Sequence, residues 1–236
     1  MQDRTNTVKG LVCNMRKVLI WDFDGTLVHA NMSFFDVLSE LLEKRGCGIG
    51  EDGVKAFLRR TSTWFMPERA YTDRTGEKWW AYYYDALRLF CREHGIDDAE
   101  VLCREFYDGV NGYEYTVYSD AEETLAYFHA QGYENYVLSN NFPELPRVID
   151  RLGLGKYFRD YFISSNIGYE KPRSELYDYV KTQIGECTFC CMIGDSLESD
   201  IRAAKNAGLT AVLVHNGKAD EADFCCDSLG EMRKYF

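Results

Sequence analysis

Apolar and polar positions follow two regimes along the chain. Residues 18–21 form a short unbroken apolar run, the pattern of a strand buried on both faces, and the run ends at Asp22. Between residues 31 and 117 the apolar positions recur instead at helical spacing. Phe34, Val37, Leu38, Leu41 and Leu42 predict a helix from Ser33, its N-cap, to about Arg45, with Gly46 as the stop. Three more helices are expected: about 53–61, a stretch marked by Trp80, Tyr83, Leu87, Phe90 and Cys91 that closes at Gly95, and about 98–108. Beyond that, strands and helices alternate. A capping box at 119–122 opens a helix that stops at Gly132. Strands then follow at 136–138, 161–163, 188–193 and 210–214, separated by helices at 143–152, 174–184 and 200–207.

Short apolar runs alternating with helices predict an α/β fold with a doubly wound parallel sheet. Residues 1–30 and 118–236 would form this core domain, and 31–117 a helical cap domain inserted after the first strand. Ligands of such sheets gather beyond the carboxyl ends of the strands. There the chain offers Asp22-Phe23-Asp24-Gly25-Thr26, then Ser139-Asn140-Asn141, then Gly168-Tyr169-Glu170-Lys171-Pro172, then Gly194 to Asp200.

Asp22 and Asp24 stand at i and i+2 and share a face, so they repel unless a cation answers them. Asp195 and Asp200 add two more carboxylates. Magnesium, which prefers oxygen ligands and keeps waters for a phosphate, suits such a set. Lys171, the backbone N–H groups after Ser139 and the following helix N-terminus could hold phosphoryl oxygens. One carboxylate would attack and the other would carry a proton.

Composition narrows the partners. The 236 residues carry 27 basic and 38 acidic side chains, a net charge of −11, which disfavours nucleic acid and anionic membrane. The first 17 residues lack a long apolar segment, and no later run is apolar enough to span a bilayer. Nine cysteines, an odd number, suit a reduced cytoplasmic protein. The sequon Asn31-Met32-Ser33 is therefore read as chance.

The stretches WDFDGTLV, VLSNN, EKP and GDSLESD resemble, in order, the four motifs of the haloacid dehalogenase superfamily. The inserted helices resemble the cap of the subgroup that includes phosphoglycolate phosphatases and beta-phosphoglucomutases. The resemblance implies a Rossmann-like core with Asp22 as nucleophile and Asp24 as general acid and base. Ser139, Asn140 and Lys171 would bind the transferring phosphate, Ser139 and Lys171 also assisting catalysis. Magnesium would be held by Asp22, the backbone carbonyl of Asp24 and Asp195, with Asp200 at or just behind the ion. Members that cleave carbon–halogen bonds lack the second aspartate, because a halide leaves unprotonated; Asp24 therefore favours a phosphate ester. The expected activity is a phosphatase on a small phosphorylated metabolite, working as a monomer or homodimer. A phosphomutase on sugar phosphates keeps the same motifs, and a catalytically idle binding protein is the remaining alternative. Hinges are expected near 28–31 and 115–119.

Other features read as structural. The GxGxxG match at 48–53 follows a helix rather than a strand and is taken as a loop. The CxxC at 187–190 leads into a strand, so buried cysteines are favoured over zinc. The ring-rich stretch 79–84 is assigned to cap packing or a dimer contact ahead of a substrate wall. His29 is read as a hinge residue, and His94, His129 and His215 suggest no cluster. Candidates for setting specificity are Arg59, Arg60, Arg69, Arg74 and Trp64.

Overall fold

The computed structural model describes residues 16–236; residues 1–15, on which most of the leader reading rests, lie outside it. Six strands form one parallel sheet: β1 (Lys17–Trp21), β2 (Tyr133–Ser139), β3 (Phe158–Ile163), β4 (Phe189–Gly194), β5 (Thr210–Val214) and β6 (Phe224–Cys226). Their order is β3-β2-β1-β4-β5-β6. The chain leaves β1 for β2 on one side and later crosses to β4 on the other. Trp21 therefore pairs with Val137 and with Ile193, and the switch point lies at the end of β1.

Strand alternation explains the sheet's two greasy faces. Leu19 and Trp21 point into one core, Val18 and Ile20 into the other. Strand β6 was not expected, being three residues long and flanked by acidic positions. Strands β2 and β3 also begin three residues before the apolar runs that predicted them, through Tyr133 and Phe158.

Between β1 and the rest of the sheet lie α1 (Ser33–Lys44), α2 (Glu51–Thr61), α3 (Glu77–His94) and α4 (Ala99–Gly112). The cap of α1 differs from expectation. Met32 is the N-cap, and Asn31 Oδ1 instead accepts the Ser33 N–H at 3.1 Å. Helix α3 ends where Gly95 takes φ +68°, a left-handed turn that glycine adopts without strain. The glycines at 48–53 form the α1–α2 connection and the first turn of α2.

Phe34 at the start of α1 joins this layer to the sheet. Its ring lies 4.9–6.2 Å from those of Trp64, Trp79, Trp80, Tyr83, Phe106 and Phe142. Trp79, Trp80 and Tyr83 are buried, as packing required, and Trp80 Nε1 donates to Glu144 at 2.7 Å. Each buried ring contributes roughly 1.5–3 kcal/mol.

The two crossings between helices and sheet run side by side. Val28 and Val117 form an antiparallel bridge, flanked by His29 N–H to Thr116 O at 2.8 Å and Tyr118 N–H to Leu27 O at 3.0 Å. The Tyr118 ring is sandwiched between those of His29 and His215, both at 3.9 Å. His29 and His215 thus meet across one tyrosine, because the return of the chain after β5 brings His215 to this place.

The remaining helices are α5 (Ala121–Ala130), α6 (Leu145–Arg151), α7 (Ser164–Ile167), α8 (Ser174–Ile184) and α9 (Ala203–Asn206). No capping box opens α5. Asp120 is its N-cap, and the Asp120 carboxylate accepts the Gly230 N–H at 2.9 Å. The helix expected at 200–207 is preceded by a wide π-helical turn, Leu197–Arg202, that begins on Ser196. Asp200 is therefore inside that turn rather than at a helix start. The cysteines of the CxxC are free, with Cys187 and Cys190 half-buried. Among the described residues no helix is long and apolar enough to cross a membrane.

Candidate active site

Every stretch singled out after a strand arrives at one edge of the sheet. Asp22 leaves β1 with its N–H on Ile193 O at 2.9 Å, which locks the first stretch against β4. Asp22, Asp195 and Asp200 each present an oxygen within 4.8 Å of the others. Lys171 reaches into this group, its Nζ 2.6 Å from Asp22 Oδ1 and 2.7 Å from Asp200 Oδ1. Burial works against its charge, but Asp200 and Asp22 outweigh burial and hold the ammonium above its usual range.

Asp200 is fully buried and both its oxygens are engaged, Oδ1 by Lys171 and Oδ2 by the Ser196 N–H at 3.0 Å. Asp195 has a long contact from Thr26 Oγ1 at 3.5 Å, and its carboxyl is raised by burial and by the charge of Asp22. Close approach here depends on Gly25, whose φ is +82°. A Cβ on Gly25 would stand 2.6 Å from Asp195 Cγ. The donor set fits a hard divalent cation: oxygen ligands only, and more carboxylates than the one lysine can balance.

Asp24 faces the other way. Its carboxylate is not part of the triad but lies between two amides, Asn31 Nδ2 at 2.5 Å and Asn141 Nδ2 at 2.6 Å. The Asp24 side chain is thus engaged away from the triad, and its backbone carbonyl remains the atom that the resemblance implies for the metal. Burial and the charge of Asp22 push the Asp24 carboxyl up to about 7, against the two amide donors.

Ser139 is buried at the end of β2, its Oγ 3.5 Å from Asn141 Nδ2. The Asn140 side chain brackets the Lys171 backbone, donating to Lys171 O at 3.0 Å and accepting from Lys171 N at 2.7 Å. It thus holds the lysine in place with its oxygen and one of its two amide hydrogens. Of the backbone N–H groups expected to cradle a phosphate after Ser139, that of Asn140 is left for it. Asn141 N–H goes to Ser164 Oγ and Phe142 N–H to Asn141 Oδ1, while α6 starts only at Leu145.

A cavity of about 500 Å³ opens from Asp24, Asn140 and Asn141 toward α2, with Arg59 and Trp64 among its lining residues. Arg60 lies outside it, paired with Glu93 at 3.2 Å, and Arg69 and Arg74 line a different pocket. Sequence reasoning missed Asn31, Asn141 and Lys55. Asn141 stood inside the second quoted stretch and could have been found there. Asn31 was seen only as a sequon, and Lys55 had no signal beyond its place one helical turn before Arg59.

Beside Lys171, Glu170 is wholly buried, and its Oε1 accepts from Thr63 Oγ1 and from Tyr71 OH, the latter at 2.5 Å. Both donors belong to the α2–α3 connection, so the loop that carries Lys171 is tied to the inserted helices.

A doubly wound sheet with a carboxylate-and-lysine cluster at its carboxyl edge, and helices inserted after its first strand, defines a Rossmann-like α/β core whose site suits a divalent cation. Residues 16–208 match the haloacid dehalogenase-like hydrolase family, and the chain belongs to that family. A phosphoglycolate phosphatase of Pseudomonas fluorescens is 26% identical over 211 residues, 85% of this chain and 70% of that protein. A ribulose-1,5-bisphosphate 5-phosphatase of Halopiger xanaduensis is 28% identical over 236 residues, 92% of this chain and 98% of that protein. Among solved structures, a 2-haloacid dehalogenase of Pseudomonas syringae pv. Tomato has a TM-score of 0.72 at 20% identity, covering 93% and 97% of the two chains.

Proposed function

We propose that this protein is a magnesium-dependent phosphatase that hydrolyses a small phosphate monoester in two steps, through an aspartyl-phosphate on Asp22. One observation carries the reading: the two aspartates of the first stretch are given opposite environments. Asp22 belongs to the carboxylate triad and faces a lysine, whereas Asp24 is held apart by two amides with its carboxyl pushed up to about 7. A nucleophile must stay ionised, and a proton donor must be protonated near neutrality.

In the first step an Asp22 oxygen attacks phosphorus, the bond to the leaving oxygen breaks, and Asp24 delivers its proton to that oxygen. In the second, a water attacks the phosphorus of the aspartyl-phosphate. Asp24 takes the water's proton, inorganic phosphate departs and the Asp22 carboxylate is restored. Lys171 offsets the charge that spreads over the phosphoryl oxygens. Ser139 adds a hydroxyl donor, and Asn140 keeps Lys171 aimed. Asp22, Asp195 and the Asp24 carbonyl, with Asp200 behind them, would hold magnesium, which would supply further positive charge at the site. The cap formed by α1–α4 excludes bulk water.

The presence of Asp24 favours an ester whose alkoxide must be protonated over a halide. The phosphatase names of the two relatives support the same choice. The test is phosphate release from an aryl phosphate and a metabolite panel, with magnesium, with chelator, and with Asp22→Asn. Magnesium-dependent release lost in the variant is expected. Isomerisation of a sugar phosphate without phosphate release would favour the mutase instead.

A further inference from the structure

The cavity beside Asp24 is built for more than a short acid. Its walls are rings, with Phe34 and Trp64 edge to face at 4.9 Å and Phe65 against Trp64 at 6.3 Å. Of the large hydrophobic residues left exposed among the described ones, Met32 at 53% and Phe65 at 52% are the most exposed, and both line this cavity. Apolar surface left in water at a cavity mouth is unfavourable until an apolar ligand group covers it.

Two cations of α2 face the same space, one helical turn apart. Lys55 is answered by Glu51 at 2.8 Å. Arg59 has no carboxylate partner among the described residues, while its neighbour Arg60 is tied to Glu93. What sets Arg59 apart from other exposed, unpaired arginines is its place in the lining of an aromatic cavity, where a guanidinium can pair with an anionic ligand group. A volume near 500 Å³ lies in the range that encloses drug-sized ligands, and a two-carbon hydroxy acid would leave most of it empty.

Resting on the phosphatase reading, we propose that the leaving group is a ring-bearing alcohol with an anionic substituent. Its ring packs among Phe34, Trp64 and Phe65, and its anion pairs with Arg59. The aromatic contact supplies affinity, and Arg59 selects charged rings over neutral ones of the same shape.

Non-hydrolysable phosphonates test this without chemistry. Calorimetry on the full chain with magnesium would compare 2-(4-carboxyphenyl)ethylphosphonate, its 4-carboxamide counterpart and the ringless 2-carboxyethylphosphonate. The carboxylated ring should bind about tenfold tighter than either of the others. Arg59→Gln, an exposed substitution, should bring the carboxylate-to-carboxamide ratio to about one, and Arg60→Gln should leave it unchanged. Equal or tighter binding of the ringless compound, or a ratio that survives Arg59→Gln, overturns the inference. The matching benzyl phosphates, assayed for phosphate release in parallel, separate the two claims. Hydrolysis without ring preference defeats this inference alone. Binding that depends on the ring and on Arg59, with no hydrolysis, supports the ligand class and defeats the phosphatase reading.

Discussion

Replacing Lys171 with methionine removes the ammonium that faces the carboxylate cluster while nearly keeping the side chain's volume. The structure sets the scale of the effect. Lys171 is 4% exposed, and its partners Asp22 and Asp200 are 9% and 0% exposed, at 2.6 and 2.7 Å. An exposed ion pair is worth about 0–1 kcal/mol, because water screens it. Here screening is slight, and removing one partner strands buried charge, which costs about 3–5 kcal/mol. Methionine fills the stem's space, so the cavity contribution is small. Urea unfolding of the metal-free proteins at neutral pH should therefore show a loss of about 3–5 kcal/mol. Magnesium at a hundred times its dissociation constant adds about 2.7 kcal/mol to a protein that binds it. The variant's cluster has lost its internal cation and should hold magnesium more tightly, narrowing the gap to wild type. A loss below about 1 kcal/mol, or a gap that magnesium widens, would refute the charge argument.

Asp24→Asn should leave the fold intact and slow hydrolysis of alkyl phosphates by about 10²–10⁴, with a smaller loss on aryl phosphates, whose leaving groups need less protonation; a panel of esters ranked by leaving-group acidity checks this. Gly25→Ala meets both a left-handed φ and the Asp195 carboxylate, so it should cost at least about 1–2 kcal/mol and weaken magnesium binding by calorimetry. Burial raises the Glu170 carboxyl above its ordinary 4.5, so the folded protein takes up this proton before the unfolded chain does. Its contribution to stability is full below the unfolded value and is lost as pH climbs through the folded one. Glu170→Gln should flatten that decline, measured as denaturation midpoints at pH 5 and pH 8; an unchanged slope would assign the decline elsewhere.

The sheet edge was legible because each buried strand ends abruptly in polar residues, and the doubly wound order then forces those ends together. Helix α8 and strand β5 fell where the apolar spacing put them, at Ser174–Ile184 and Thr210–Val214. What escaped reading depended on long-range contact. Strand alternation places Asp24 beside Asp22 on one face but does not give the partners of its side chain. The chain turns at once after Phe23, and Asn31, just past that turn, and the distant Asn141 capture the side chain. Asn140 looked like a phosphate donor, and its side chain also brackets the Lys171 backbone, which no local pattern foretells. The stack of His29, Tyr118 and His215 joins three segments with no common periodicity. Capping by Ser33 and Ser119 failed because each stands one residue off the N-cap: Ser33 is already the first helical residue after Met32, and Ser119 precedes Asp120, whose carboxylate is taken by the distant Gly230 N–H.

The most direct test of the central claim is to catch the phosphorylated residue. Wild-type protein mixed with substrate and magnesium would be acid-quenched within a turnover, treated with borohydride to reduce any acyl phosphate to an alcohol, and mapped by peptide mass spectrometry. The expected result is reduction at Asp22, dependent on substrate and magnesium and lost in Asp22→Asn. Turnover with Asp22 never reduced, or reduction at a different carboxylate, would contradict the account.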